Sequence, residues 1–361
     1  MHDKIALPGV GERREEQTSE AVIFPISVII PTYNRRVWLE EVLDSIVLQS
    51  LPFDQFEVII VDDGSTDATH EIAQRTYPFT VRYFHQTNQG DAAARNLGAK
   101  QSQAEILVFL DDDILLEKDF LAEIFAEQRI APNRIIVGAD TLWVEETNPL
   151  SIGATTPPVP RGEPSLVPLP FADVCSNNMS VRREAYFAIG MMEGLDFPGS
   201  SMWCDVDFTY RAYQKQFDFY RNRRALCWHR DYVAKSFESR KKRMYEVAYR
   251  AVVLFHKYPE LVNFLPMFVD KTPVVWKRDS FGLIVRKLLR LITSSRFVIW
   301  MMEKWFMLIK RRPGMARLAS SLSRWIVGGY IYRGYREGVR KFGRVSESDK
   351  PAMVGSVENH F

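Results

Sequence analysis

The sequence predicts an α/β protein: a mostly parallel, open sheet with helices on both faces, followed by a helical extension. Three observations predict it. Short, nearly continuous apolar runs rich in Val, Ile and Phe recur between residues 26 and 110, each separated from the next by a helix-length segment. The unusual polar clusters of this region follow directly after those runs. From about Lys241 onward the apolar pattern is helical and the charge turns basic.

In chain order, "ISVII" (Ile26–Ile30) reads as the first strand, with a helix around Val37–Leu48. "FEVIIV" (Phe56–Val61) is the second strand, and a helix is expected near Asp67–Thr76. "TVRYF" (Thr80–Phe84) is the third strand, "DAAARNLGAK" (Asp91–Lys100) a helix and "ILVFL" (Ile106–Leu110) the fourth strand. Asn148–Phe171 holds seven of the nineteen prolines and is expected to be irregular, either an active-site lid or a variable surface loop. "DVCSNNMSVRR" (Asp173–Arg183) and "YRNRRALCWH" (Tyr220–His229) read as further strands. The expected domains are a flexible leader (1–24), the sheet domain (25–238), a basic helical region (239–345) and a disordered tail (346–361).

With 361 residues, 46% hydrophobic and 25% charged, the chain has the balance of a globular protein. A net charge of +2 does not advertise nucleic-acid binding. The charge is unevenly spread, however: Lys271–Arg344 carries eighteen Lys and Arg against three acids, a net +15. That asymmetry points to an anionic surface as neighbour of the C-terminal part. The three cysteines, Cys175, Cys204 and Cys227, are odd in number, widely spaced and in no CxxC pair, which favours a reducing, cytoplasmic compartment over a disulfide framework. No hydrophobic signal core stands at the N-terminus, and the most apolar window, Phe297–Ile309, is too short to span a bilayer.

In an open parallel sheet, ligands bind beyond the C-terminal ends of the strands. "PTYN" (Pro31–Asn34), "DDGSTD" (Asp62–Asp67), "HQTNQGDAAARN" and "DDD" (Asp111–Asp113) each follow a strand there. Neither a GxGxxG after the first strand nor a GxxxxGK[S/T] is present, so a dinucleotide or P-loop site is disfavoured. An anionic ligand would need a cation to reach this acidic edge. At strand spacing Asp111 and Asp113 share a face, roughly 6.5–7 Å apart, and repel by on the order of 2 kcal/mol. A hard divalent cation, Mg²⁺ or Mn²⁺, removes that repulsion and commonly joins one or two carboxylates to substrate phosphates. Alternation turns Asp112 to the other face. Arg95 suits a charge-assisted contact to a diphosphate.

The run "SVIIPTYNR…VLDSIVLQS…FEVIIVDDGSTDAT…NQGDAAARNLG…ILVFLDDD" resembles the inverting glycosyltransferase family 2, whose fold is GT-A. The likeness continues more loosely through "NNMSVRREAYFAIGMMEGLD" and "WCDVDFTYR" to about His229, and does not cover the last third. It implies a nucleotide-diphosphate-sugar donor, usually carried on UDP, a divalent metal and one displacement with inversion. On this sequence it implies that Pro31, Tyr33 and Asp63 hold the base and that Asp62 supports their loop. Arg95 would lie near the base or diphosphate, Asp111 would reach the ribose or metal, and Asp113 would ligate the metal. Asp112 is counted with the nucleotide-sugar set without a role of its own. Asp205, in "CDVD", would be the general base, and His229 resembles a late histidine near the metal. Trp203, Asp207 and Asn178 are the candidates for the acceptor side. One departure stands out: Cys204 occupies the position where the family usually has Glu before the base.

In the last third, "FGLIVRKLLRLITSSRFVIWMMEKWFMLIKRR" has a broad apolar face mixed with bases, and Arg296, Glu303 and Lys310 recur every seven residues. A basic amphipathic region of this kind suits the cytoplasmic face of a membrane, where lipid-linked acceptors of cell-surface polysaccharide or glycolipid synthesis are found; helical packing or a dimer interface is the other reading. The rivals to sugar transfer are a sugar nucleotidyltransferase and a sugar-nucleotide-binding protein that has lost turnover. The sequence leaves the donor sugar, the acceptor and the oligomeric state open.

Overall fold

The computed structural model describes residues 24–142, 163–194, 202–230, 236–312 and 314–345. The expected leader and tail, and most of the proline-rich segment, lie outside them.

Strand β1 (Ile26–Thr32) leads to helix α1 (Arg36–Val47), strands β2 (Phe56–Asp62) and β3 (Thr80–His85), helix α2 (Asp91–Gln101) and strand β4 (Ile106–Leu110). These four strands pair in parallel in the order β3-β2-β1-β4, with Ile29 level with Ile59 and Phe109. Alternation along each strand makes two cores. Val28, Ile30, Val58, Ile60 and Val108 pack with Leu39, Leu43 and Ile46 of α1. Ile29, Ile59, Val61, Leu107 and Phe109 face the opposite way, onto Ala94 and Ala99 of α2. Helix α2 lies close on the sheet because Gly98 has no side chain; a Cβ there would stand 2.4 Å from Ile29 Cγ2. Arg95, three residues earlier on the same helical face, is carried inward with it.

Beyond β4 the sheet becomes mixed. Strands β5 (Ile114–Leu116), β6 (Arg134–Leu142), β7 (Leu166–Pro168), β8 (Asn178–Arg182) and β9 (Asp218–His229) join it, with helix α3 (Phe120–Gln128) between β5 and β6. The order continues β4-β8-β6-β9-β5, and β7 pairs with β9. β8 runs antiparallel to β4 and β6, β9 parallel to β6, and β5 and β7 antiparallel to β9. Two registers matter for the site: Leu110 is level with Asn178, and Ile114 with His229.

Helices α4 (Arg183–Ile189) and α5 (Cys204–Gln214) flank β8 and β9 in sequence. The C-terminal region contributes α6 (Phe237–Lys257), α7 (Phe281–Thr293), α8 (Arg296–Ile309) and α9 (Ala316–Phe342). α6 and α9 pack along each other with their backbones nearly touching at Gly334, where a Cβ would stand 2.2 Å from the Tyr245 carbonyl. Ala248, Val252 and Phe255 of α6 and Ile331 of α9 belong to the same core as Ile29 and Phe109. The helical region therefore shares its core with the sheet.

Several elements differ from expectation. Ala68–Gln74 is a 3₁₀ helix, not an α-helix, started by Asp67, whose carboxylate accepts the Thr69 N–H at 3.0 Å. The strand expected over Asp173–Arg183 begins only at Asn178, after a single 3₁₀ turn at Phe171–Asp173. The proline-rich segment is not wholly irregular, since Leu166–Pro168 pairs on β9.

Candidate active site

The loops after β1, β2 and β4 meet at one edge of the sheet. Asn34, in the left-handed region (φ 54°), accepts the Thr66 N–H at 2.7 Å, tying the first two loops together. Pro31 is buried inside β1 opposite Val61, beyond the last residue paired to β4, where its missing N–H costs no sheet bond. Tyr33, two residues on, is exposed, and its ring can stack on a planar ligand.

Asp62 and Asp63 are both buried and both occupied within the protein. Asp62 accepts the Ser65 N–H at 2.8 Å and the Tyr83 hydroxyl. Asp63 accepts the Gln89 and Gly90 N–H groups at 2.9 and 2.8 Å and the Gln86 amide at 2.7 Å. It thereby holds the turn from which α2 starts, and so aims Arg95.

The three aspartates after β4 do not continue the strand. Asp111 to Asp113 form a turn, closed by the Ile114 N–H to the Asp111 carbonyl at 3.2 Å. The expectation that Asp111 and Asp113 share one strand face is therefore corrected: turning replaces alternation, and each carboxylate finds its own partners. Asp111 is part-exposed and pairs with Arg95. Asp112 is buried, accepts the Thr32 hydroxyl at 2.8 Å and pairs with Arg35 at 2.8 Å. Burial pushes its carboxyl up to about 6. Asp113 is buried, pairs with the same Arg35 nitrogen at 3.1 Å and lies 3.6 Å from His229 Nε2. Burial, and next the charge of Asp111, hold the Asp113 carboxyl above its ordinary value, so the two carboxylates do repel. The Oδ1 of Asp113 is buried and accepts no hydrogen bond from the described residues.

Arg95 is 2% exposed and donates to Asp91 at 2.6 Å as well as to Asp111. Burial opposes its charge, but those two carboxylates outweigh it. Asp205, in the first turn of α5, feels the charges of both Arg95 and Asp91. Burial pushes its carboxyl up to about 6, while part of the residue stays open to solvent. Cys204 beside it is buried, and burial holds its thiol well above the ordinary value, so it supplies no anion in place of the missing Glu.

The acceptor-side candidates are all engaged by other parts of the protein. Asp207 is fully buried and bound by Arg211 and Lys257, each at 2.7 Å. The Trp203 indole donates to the Val247 carbonyl at 2.8 Å and its ring lies beside Phe268. Asn178 is buried, bridging the Gly138 N–H at 3.0 Å and the Asp140 carboxylate.

Two residues not singled out from sequence belong here. Arg35 joins Asp112 to Asp113; its signal was the first arginine of "YNRR". Asp140, on β6, accepts from Asn177 at 2.8 Å and from the Cys227 thiol at 3.1 Å. It ends the apolar run "IIVGAD" as Asp111 ends "ILVFL".

For a divalent cation, the orphaned Asp113 oxygen beside part-exposed Asp111 is a fitting donor set. Among the described residues no three His, Cys, Asp or Glu side chains gather into a closed cage.

Residues 27–187 match the model of glycosyl transferase family 2. An uncharacterized glycosyltransferase of Rickettsia felis is 45% identical over 95 residues, covering 26% of this chain and 15% of that protein. Validoxylamine A glucosyltransferase of Streptomyces hygroscopicus subsp. jinggangensis is 36% identical over 118 residues, 31% of this chain and 28% of that one. These likenesses span less than a third of either relative. The fold is shared with the mannosyltransferase PcManGT of Pyrobaculum calidifontis, solved with GDP-Man and Mn2+: TM-score 0.56, 16% identity, 87% of this chain and 88% of that one. The apolar strands, the strand-end acids and the matched segment agree: residues 27–187, a little under half of the chain, match glycosyl transferase family 2.

Proposed function

We propose that this chain transfers a sugar, with inversion, from a nucleotide-diphosphate sugar, with UDP as the expected carrier, to an acceptor hydroxyl. One observation carries the reading. A part-open carboxylate of raised basicity, Asp205, a buried cation, Arg95, and a metal-competent pair, Asp111 and Asp113, converge on one edge of the sheet. Tyr33 and the loop held by Asp62 and Asp63 would receive the base. Asp111 and Asp113 would hold Mg²⁺ or Mn²⁺, with His229 steadying Asp113; the cation would supply charge neutralisation for the departing diphosphate. Arg95 offsets the charge of Asp111 and holds it in place. Asp205 would take the proton from the acceptor hydroxyl as its oxygen attacks the anomeric carbon. A carboxyl near 6 is suited to this, being ionised at neutral pH yet more basic than an ordinary Asp.

The acceptor is proposed to be a saccharide or lipid-linked glycan at the cytoplasmic face of a membrane. The test is a panel of sugar nucleotides with Mn²⁺, read as released nucleoside diphosphate and glycosylated product. Transfer undiminished in both Asp113→Ala and Asp205→Asn would refute the mechanism. Tight donor binding with no product from any acceptor would favour a binding protein without turnover.

A further inference from the structure

Helix α7 is built inside out. Its buried residues are Lys287 and Arg290, while Phe281, Leu288, Leu289 and Ile292 face solvent, Phe281 at 83% exposure. A helix packed on a water-soluble body buries its apolar stripe. Here the inverted orientation is fixed by bonds. Lys287 pairs with Asp279 at 2.7 Å and donates to the Pro273 carbonyl at 2.9 Å. Arg290 pairs with Asp270 at 3.1 Å, donates to the Trp325 carbonyl at 3.1 Å and lies 4.6 Å over the Trp325 ring. Room for that guanidinium comes from Gly328 of α9, where a Cβ would stand 2.5 Å from Arg290. Rolling α7 to hide its leucines would strip both cations of these partners.

Helix α8 continues the surface. Ile299, Phe306 and Ile309 pack inward, yet Phe297, Trp300, Trp305 and Leu308 are exposed. It carries large apolar side chains on its solvent side as well as on its covered side. The charges follow the same division. Both acids between residues 271 and 318 are engaged inward, Asp279 by Lys287 and Glu303 by Lys241 at 2.5 Å. Arg286, Arg296, Lys304, Arg311, Arg312 and Arg317 are exposed. Every ionised side chain that this stretch leaves exposed is positive.

We propose that α7 and α8 rest on an anionic lipid surface, their exposed leucines and aromatics entering the headgroup region and the bases meeting lipid phosphates. Charge complementarity selects a lipid surface over a second copy of the chain, because two such faces would oppose like charges across an apolar seam. Tryptophan and phenylalanine beside Arg and Lys are the side chains that an interfacial helix uses. Among the described residues no helix is long and apolar enough to cross a membrane, so the attachment is lateral. The proposal stands independently of sugar transfer, since it uses no residue of the strand-end site.

The test uses the full chain without donor or metal. Phosphatidylcholine vesicles containing phosphatidylglycerol should pellet the protein at low salt and shift its tryptophan emission to the blue; phosphatidylcholine alone should bind far less. Each base near such a surface strengthens binding by on the order of five-fold, so Arg286→Glu with Lys304→Glu and Arg311→Glu should weaken it by on the order of a hundred-fold or more. Trp300→Ser with Trp305→Ser should abolish pelleting while the far-UV spectrum is kept, because both residues lie at the surface. The proposal is overturned if the unaltered chain ignores anionic vesicles, if neither variant weakens binding, or if light scattering finds a dimer that the tryptophan variant dissolves.

Discussion

Arg95, inside the protein, donates to Asp111, at its surface, and the pair joins the first half of the fold to the site. Its position follows from helix geometry: Gly98 draws α2 onto β1, and the turn held by Asp63 sets where α2 begins. Arg95 thus compensates Asp111 and Asp91 before any ligand arrives, and it lies close enough to Asp205 to bias that carboxyl too.

Arg95→Met should therefore weaken donor binding and turnover together, by on the order of 10²-fold in kcat/KM, as for truncating one partner of a buried charge pair. The stability cost should be only about 1–3 kcal/mol, because both stranded carboxylates can reach water. Arg95→Lys should recover stability better than turnover, since an ammonium lacks the fork that spans two carboxylates. Denaturant unfolding and donor titration on the same samples separate the two effects. Full activity in Arg95→Met would remove Arg95 from the mechanism.

Asp205 gives a pH signature. Its carboxyl is pushed up to about 6 by burial, and general-base action needs the ionised form. The rate should fall about tenfold per pH unit below about 6 and level off above it. Asp205→Asn should lower kcat by roughly 10²–10⁴-fold. Stability should move the other way. A carboxyl whose folded value lies above its unfolded value contributes stability fully below about pH 4 and loses it as pH rises through about 6. The Asn variant should therefore be more stable than the parent at pH 8, by on the order of 2 kcal/mol, with no gain at pH 4. A flat rate profile between pH 5 and 8 would exclude Asp205 as the base.

The parallel strands were readable because burial on both faces leaves unbroken apolar runs, and strand-end placement then located Pro31, Asp62, Asp63 and Asp111 together. The later half was less readable. β6 was passed over, and Asp140 with it, because antiparallel neighbours such as β8 pair through registers that no local pattern reveals. In "WCDVD" helical geometry decides what spacing could not. Helix residues advance about 100° each, so Asp205 and Asp207 lie on different faces. One reaches the cleft edge and the other the ion pairs with Arg211 and Lys257. The triplet Asp111–Asp113 misled in the same way, because a turn does not alternate.

Asp207 should prove structural. Asp207→Ala leaves Arg211 and Lys257 without their buried counter-charge, and should cost about 3 kcal/mol, toward the low end for a broken buried pair because Lys257 also pairs with Glu193. Below the melting transition the variant should keep the parent's KM for donor and acceptor. The readout is thermal unfolding beside steady-state kinetics. A raised acceptor KM with unchanged stability would restore Asp207 to the acceptor site.

Asp113 has an oxygen that none of the described residues hydrogen-bonds, and His229 stands beside it at 3.6 Å. A buried carboxylate oxygen left this way is costly unless a cation completes it. Titration with Mn²⁺, followed by water-proton relaxation, should show one site that sugar nucleotide tightens, because the phosphates supply the missing donors. Asp113→Asn should remove it. His229→Ala should weaken it by about 10–100-fold, the usual cost of losing a group that orients a ligand. Arg35→Ala should act differently. It takes away the cation that now offsets Asp112 and Asp113, so metal affinity should rise while folding stability falls. Chelator-treated protein that transferred sugar at the full rate would show that Arg35 and Arg95 suffice as the site's cations.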